Sequence, residues 1–359
     1  MRAPTLTLLI ATASIAASLT AQSSGGVLPP RVADHWGWKN RDFPMGRSWC
    51  RTQIRADQAM LPPNLKTAAI ITGIGVRRST GRTVFKAATI NQEIWFGSTK
   101  ATNATMTNDF AANKANAVSG TIVVPQRRIN LPAAGFGSPR DFLMIPFQSP
   151  YPFNGPHVLV EFSNTDTTQR LTGWKTDYVG TINSGIRTYF GLPCAGAGVT
   201  SVSSSGGTGG YTLGSTINFW SGQAKPKIAV SHAIGLSPVS WGGIPLPFDF
   251  TPIGAPNCKL FIDPLMMTRF TRDANGQVSR KVTIPNLATL GNLSFYSQWV
   301  NFDPTANPMG LSLTEATAIT IGGPKITGIN SVRLVSKNNN TSTTGDLFNN
   351  EMPVLRLDY

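Results

Sequence analysis

Side chains able to do catalytic or metal chemistry are scarce in this sequence and far apart. Its three histidines, His35, His157 and His232, each stand alone. Zinc sites draw His and Cys ligands from short spacings such as H-E-x-x-H or paired C-x-x-C, and neither pattern is present. No G-x-S-x-G elbow presents a serine, and neither GxxxxGK[ST] nor GxGxxG offers a phosphate-cradling loop. The histidines read as packed or surface residues, no metal site is expected, and nothing calls for a cofactor. Glycoside cleavage needs two carboxylates facing each other across the bond. The chain has only four glutamates, Glu93, Glu161, Glu315 and Glu351, and Glu161 alone lies on a strongly apolar stretch, HVLVEFSN. A pairing of Glu161 with Asp166, Asp177 or Asp249 on neighbouring loops is one reading. A partly exposed glutamate beside one of many arginines is the plainer one, and no catalytic residue is assigned. SNTDTTQR at 163–170 and DANG at 273–276 carry the oxygen ligands that calcium takes. Both lack the spaced carboxylates of a calcium loop and read as side-chain-capped turns.

Binding chemistry is what remains. Thirty-one Lys and Arg against 17 Asp and Glu give a formal net charge of +14, which favours anionic polymers or surfaces as partners. The bases are scattered: Arg77, Arg78, Arg82 and Lys86, then Arg127 and Arg128, Arg269 and Arg272, Arg280 and Lys281. No block of five or six occurs, so solvated strand faces compete with a functional basic surface. Trp36 and Trp38 sit at i and i+2 and share one side of an extended segment. With Trp241, beside glycines, they are the candidates for exposure, where indoles stack on sugar rings, although packing against the fold is the plainer reading of each. Trp220 and Trp299 read as core. The candidate glycan-binding set is therefore Trp36, Trp38, Trp241, Arg77, Arg78, Arg127 and Arg128.

The elements that must position these residues are short strands. Charged residues make up only 13% of the chain, against 35 Gly and 26 Pro, a composition of many turns and little helix. Apolar or alternating runs recur every 10 to 20 residues: TAAIITGIGVRR, RTVFKAATINQEIWFGST, GTIVVPQRRINL, DFLMIPFQSPYPF and HVLVEFSN. In HVLVEFSN, Val158, Val160 and Phe162 define the buried face, with Leu159 and Glu161 on a face only partly covered. ADQAML at 56–61 is the best short helical turn. After a Ser/Gly-rich stretch near 200–210, STINFWS, KIAVSHAIG, CKLFIDP, SRKVTIP and LSFYSQWVNF continue the pattern, and RDANGQVSRKVTIP reads as a hairpin with Asn275-Gly276 at its tip. The expected fold is all-β, with two β-sandwich domains. Residues 22–190 form a jelly-roll or lectin-like sandwich and 191–323 an Ig-like one. Residues 324–359 form a hairpin-like tail whose last strand docks on one of the sandwiches. MRAPTLTLLIATASIAASLTAQ has the basic start, apolar run and small residues of a signal peptide over 1–21. No later run is apolar enough to cross a bilayer, so the protein is expected to be exported, to the periplasm, cell surface or extracellular space.

Only Cys50, Cys194 and Cys258 are present, and in an oxidising compartment two of them should pair. GLPCAGAG at 191–198, Gly254-Ala255-Pro256-Asn257-Cys258, Ile284-Pro285, Leu290 to Gln298 and Asn307-Pro308-Met309-Gly310-Leu311 resemble a module common at the C-terminus of secreted planctomycete proteins. The resemblance covers about residues 191–322. RTQIRADQAML and PFQSPYPFNGPHVLVEF, within 40–165, are more loosely similar to the β-rich domain that often precedes it. The resemblance implies export, a β-sandwich and no particular reaction. It also implies a Cys194–Cys258 disulfide, leaving Cys50 as a free, buried thiol beside Trp49 or as a link between molecules.

These observations point to a secreted, non-catalytic protein of the cell surface or extracellular matrix that binds an acidic polysaccharide or other cell-envelope polymer. A surface subunit that assembles with copies of itself and a polysaccharide-degrading enzyme are the alternatives. Nothing in the sequence reads nucleic-acid bases.

Overall fold

The computed structural model describes residues 25–359 apart from 38, 48, 67, 80–85, 134–138, 166–173, 181–184, 206–209, 324–330, 337–340 and 350; the signal segment 1–21 lies outside the described residues. Nearly every described element is a strand, with one short α-helix, Phe110–Ala115, and a few 3-10 turns. All the sheets are antiparallel, in an all-β sandwich architecture. No described helix is long and apolar enough to cross a membrane.

The first sandwich packs a four-stranded sheet on a six-stranded one. The first has the spatial order Gly25–Leu28, Leu355–Asp358, Ala69–Arg77, Phe142–Phe153. The second has the order Asp346–Asn349, Ser331–Ser336, Cys50–Ala56, His157–Asn164, Ala88–Thr99, Ala117–Leu131. Ile54, Ile74, Phe96, Ile145, Phe153, Val160, Phe162 and Leu357 fill the space between them. Phe142–Phe153 shows how sequence dictates place. Ile145, Phe147, Tyr151 and Phe153 alternate inward, and Pro146, Pro150 and Pro152, which cannot donate to a ladder, are accommodated on an edge strand. A third sheet joins Lys39–Arg41, Thr176–Gly180 and Glu351–Pro353. The helical turn expected at 56–61 is a 3-10 turn, Gln58–Met60, capped by the Asp57 side chain.

The second sandwich faces a three-stranded sheet, Val199–Ser205, Thr216–Gly222 and Val278–Thr283, with a larger one. The latter runs Ile186–Phe190, Ala316–Thr320, Ser294–Phe302, Ala229–Gly235, Met266–Thr271, with Leu311–Leu313 also on Ser294–Phe302. Ile217, Phe219, Val230, Trp299 and Ile319 form its core. The disulfide between Cys194 and Cys258 is present, with Cα atoms 4.9 Å apart, and fastens the loop before Val199 to the start of Lys259–Leu260.

Four expectations change. Ile186–Phe190 pairs with Ala316–Thr320, so this strand belongs to the second sandwich and the boundary lies before residue 186. The tail does form a hairpin, Ser331–Ser336 with Asp346–Asn349, and its last strand does dock, but both are built into the sheets of the first sandwich. Ser331–Ser336 pairs with Cys50–Ala56, and Leu355–Asp358 sits between Gly25–Leu28 and Ala69–Arg77. The first sandwich is thus discontinuous, with the second inserted into it. RDANGQVSRKVTIP is not a hairpin, because Met266–Thr271 pairs with Ala229–Gly235 while Val278–Thr283 pairs with Thr216–Gly222. The turn instead carries the chain from one sheet to the other. Buried Arg272 secures that crossing, donating to Ser221 on one sheet and Asn301 on the other, and Gly276, at φ 71°, takes the left-handed position. Finally, both faces of His157–Asn164 are buried. This inner strand has Met106 and Val332 packed on Leu159.

Candidate functional site

The residues named as a glycan site from sequence do not assemble into one. Trp36 is 5% exposed and plugs the junction of the two sandwiches with Phe190, Phe261 and Tyr296. Trp38 lies outside the described residues. Arg77 is fully buried rather than superficial. Its Nε donates to Asp177 Oδ2 at 2.8 Å, and its Nη atoms donate to the carbonyls of Val32, Pro139 and His35. Burial pushes the Arg77 guanidinium down and the Asp177 carboxyl up, each opposed by the charge of the other. Arg78 is half-buried, its pKa lowered by desolvation. Arg127 and Arg128 are exposed on the long strand Ala117–Leu131. Trp241 is exposed, paired with Ile244 in a hairpin whose Gly242 and Gly243 both have positive φ, but this hairpin belongs to the second sandwich. Trp220, read as core, is half-buried, whereas Trp299 is core as expected.

The other chemically able residues are occupied by structure. Glu161, expected partly exposed, is 3% exposed and accepts from Arg51, Gln53 and Lys114 at 2.9–3.0 Å, since the helix Phe110–Ala115 brings Lys114 over its strand. His232 is wedged between Phe219 and Trp299, with Arg280 3.2 Å from its Nδ1, and burial with that positive neighbour pushes its pKa down to about 3. His35 bonds the Tyr296 hydroxyl at 2.7 Å, and His157 accepts from the Gln58 backbone. Asp273 spends its carboxylate on the backbone N–H groups of Asn275 and Gln277, as a turn does. Of SNTDTTQR, residues 166–170 lie outside the described residues. Among the described residues no three His, Cys, Asp or Glu side chains gather as a metal site would require.

The structure instead assembles a cleft of about 420 Å³ that no sequence pattern announces, lined by Arg41, Asp42, Phe43, Arg47, Lys175, Arg333 and Phe348. Three distant segments supply it. The first leads out of the strand Lys39–Arg41 into the turn ending at Arg47. The second is Lys175, immediately before Thr176–Gly180. The third is the cross-strand pair Arg333 and Phe348, on strands that follow the inserted sandwich. Arg333 is 2% exposed, and its guanidinium lies 4.3 Å from the Phe348 ring centroid and 5.3 Å from that of Tyr178. Arg47 lies over Phe43 at 5.7 Å. Glu351 Oε1 accepts from Arg41 Nε at 2.8 Å and from Arg333 Nη2 at 3.4 Å, coupling a rim cation to a buried one. Four cations against two carboxylates, Asp42 and Glu351, leave the cleft at +2.

Cys50, the free cysteine, lies beneath this cleft with Phe43, Val335 and Phe348. Its thiol donates to the Arg47 carbonyl at 3.1 Å, and burial pushes its pKa up to about 12. Trp49 does not shelter it. That side chain is 45% exposed, with φ at 52° in the left-handed region that bulky residues rarely adopt. No family profile and no curated protein matches this chain, so the likeness of residues 191–322 to the planctomycete module rests on its residue pattern.

Proposed function

We propose that this is an exported, non-catalytic protein that attaches to an acidic polysaccharide of the cell surface or extracellular matrix. The observation that carries the reading is the cleft, where Arg41, Arg47, Lys175 and Arg333 converge with aromatic walls on a net positive charge. Low dielectric around partly buried cations strengthens their pull on an anion over that of solvated lysines. The disulfide supports an oxidising compartment, and the likeness of residues 191–322 to a secreted module supports export. Exposed Trp49, two residues beyond Arg47, offers a stacking platform, while Arg127 and Arg128 add diffuse attraction.

Retention of the mature protein on an acidic and a neutral polysaccharide, across a salt series, tests this. We expect retention on the acidic polymer that weakens as salt screens exposed charge within about 8 Å. No retention, or equal retention on both, would remove the reading. Self-association is the second reading, favoured by Met266–Thr271. This strand ends its sheet and carries Met266 and Met267 exposed next to exposed Leu265, a combination suited to edge pairing. Sedimentation velocity showing a concentration-dependent dimer would favour it.

A further inference from the structure

The floor of the cleft carries polar groups that the fold leaves unanswered. Aromatic contacts from Phe348 and Tyr178 flank the Arg333 guanidinium, and its buried Nε–H has no acceptor among the described residues. The hydroxyls of Thr176 and Tyr178 are also buried without a partner. Those two residues lie at i and i+2 on one strand, so they share a face. The Arg333 contact with Tyr178 sets that face against the cleft floor. Buried polar groups in native proteins nearly always have partners, and three orphans in one neighbourhood call for a shared one. A cationic N–H and two hydroxyls are together suited to oxygen atoms bearing negative charge. The basic rim adds charge of the same preference.

We propose that the cleft is an oxyanion seat for the carboxylate or sulfate of an acidic sugar. Arg333 Nε–H is the buried donor, the Tyr178 and Thr176 hydroxyls complete the floor, and Arg41, Arg47 and Lys175 hold the rim. The volume of about 420 Å³ lies within the range of small-molecule clefts, about 300–1,000 Å³, a size that suits a single acidic sugar residue as the guest. The sugar portion rests on the polysaccharide reading above; the oxyanion seat does not.

The test is thermal shift and calorimetric titration of the full chain with glucuronate, inorganic sulfate and glucose, at an ionic strength held constant with chloride. Glucuronate and sulfate should raise Tm, and glucose should not. Tyr178→Phe deletes only a hydroxyl, so the unliganded Tm should hold or rise. Its affinity for glucuronate should fall about tenfold, the loss expected for one hydrogen bond to a charged group. Lys175→Ala, at the exposed rim, should weaken binding without moving the unliganded Tm. No shift with either anion, or unchanged affinity in Tyr178→Phe, would overturn the seat. A response to sulfate alone would overturn a sugar carboxylate as its guest. Retention on acidic polysaccharide without a glucuronate or sulfate shift would remove the seat and leave polysaccharide binding to the exposed surface. A shift without retention would keep the seat and remove the polysaccharide reading.

Discussion

The two sandwiches use the same kind of strand but close in opposite ways. All the strands of the second lie between Ile186 and Thr320, and its Cys194–Cys258 link spans 64 residues within that stretch. The first is left open at Gly180 and is completed only by Ser331–Ser336, Glu351–Pro353 and Leu355–Asp358. The continuous domain carries a covalent staple, and its buried guanidinium, Arg272, is answered by the neutral groups of Ser221 and Asn301 within the same stretch. The discontinuous one is held by ion pairs that bridge distant segments, among them buried Arg77 to Asp177 and Arg41 to Glu351. The same closure builds the cleft, whose floor does not exist until the tail returns.

Truncation after Gly323 breaks the comparison most severely. It removes two inner strands of the first sandwich and none of the second, so calorimetry should show the loss of one transition and the survival of the other. Two surviving transitions would contradict the discontinuous closure. Arg77→Ala leaves buried Asp177 without its counter-charge, and breaking a buried pair in this way costs about 3–5 kcal/mol. Urea unfolding should show that loss in the first sandwich only. Replacing Cys194 and Cys258 by Ala acts on the other side, removing about 4 kcal/mol from the second sandwich by the loop-closure argument. The midpoint of the first should not move.

The smallest effects per step are those of pH, at most about 1.4 kcal/mol for each unit. His232 in the folded second sandwich takes a proton only near pH 3, whereas its ordinary pKa is 6.5. Its contribution is complete above pH 6.5 and is lost as pH falls toward 3, by up to about 1.4 kcal/mol per unit. His232→Gln should flatten that acid slope. Cys50 under the first sandwich's cleft has the reverse sign. The unfolded thiol ionises near 9.0 and the folded one near about 12, so stability is complete below pH 9 and falls as pH rises through that window. Cys50→Ala should flatten the alkaline slope, measured as urea midpoints of each transition.

The all-β class was legible because alternation and turn residues are local signals, as in Phe142–Phe153, where inward aromatics and outward prolines mark one solvated face. The partner of a strand is not a local property. Asn275-Gly276 announces a change of direction but not that the next strand joins the opposite sheet. HVLVEFSN shows one face by period two, yet the covering of its other face depends on Met106 and Val332, from distant parts of the chain. Charge is equally ambiguous. Arg77 is indistinguishable in sequence from Arg127, and only Asp177, 100 residues away, decides that it is buried. The cleft was invisible for the same reason, since Arg41, Lys175 and Arg333 become neighbours only through strand order.

The central claim is that anionic polymer binding belongs to the cleft of the first sandwich and not to basic charge in general. The most direct measurement compares retention on the acidic polysaccharide for two charge reversals. Lys175→Glu alters the cleft rim, and Lys281→Glu alters an exposed strand of the second sandwich by the same charge. The account predicts that Lys175→Glu elutes at markedly lower salt than the unaltered protein while Lys281→Glu elutes with it. Equal losses from the two reversals would mean that overall charge, rather than the cleft, holds the polymer.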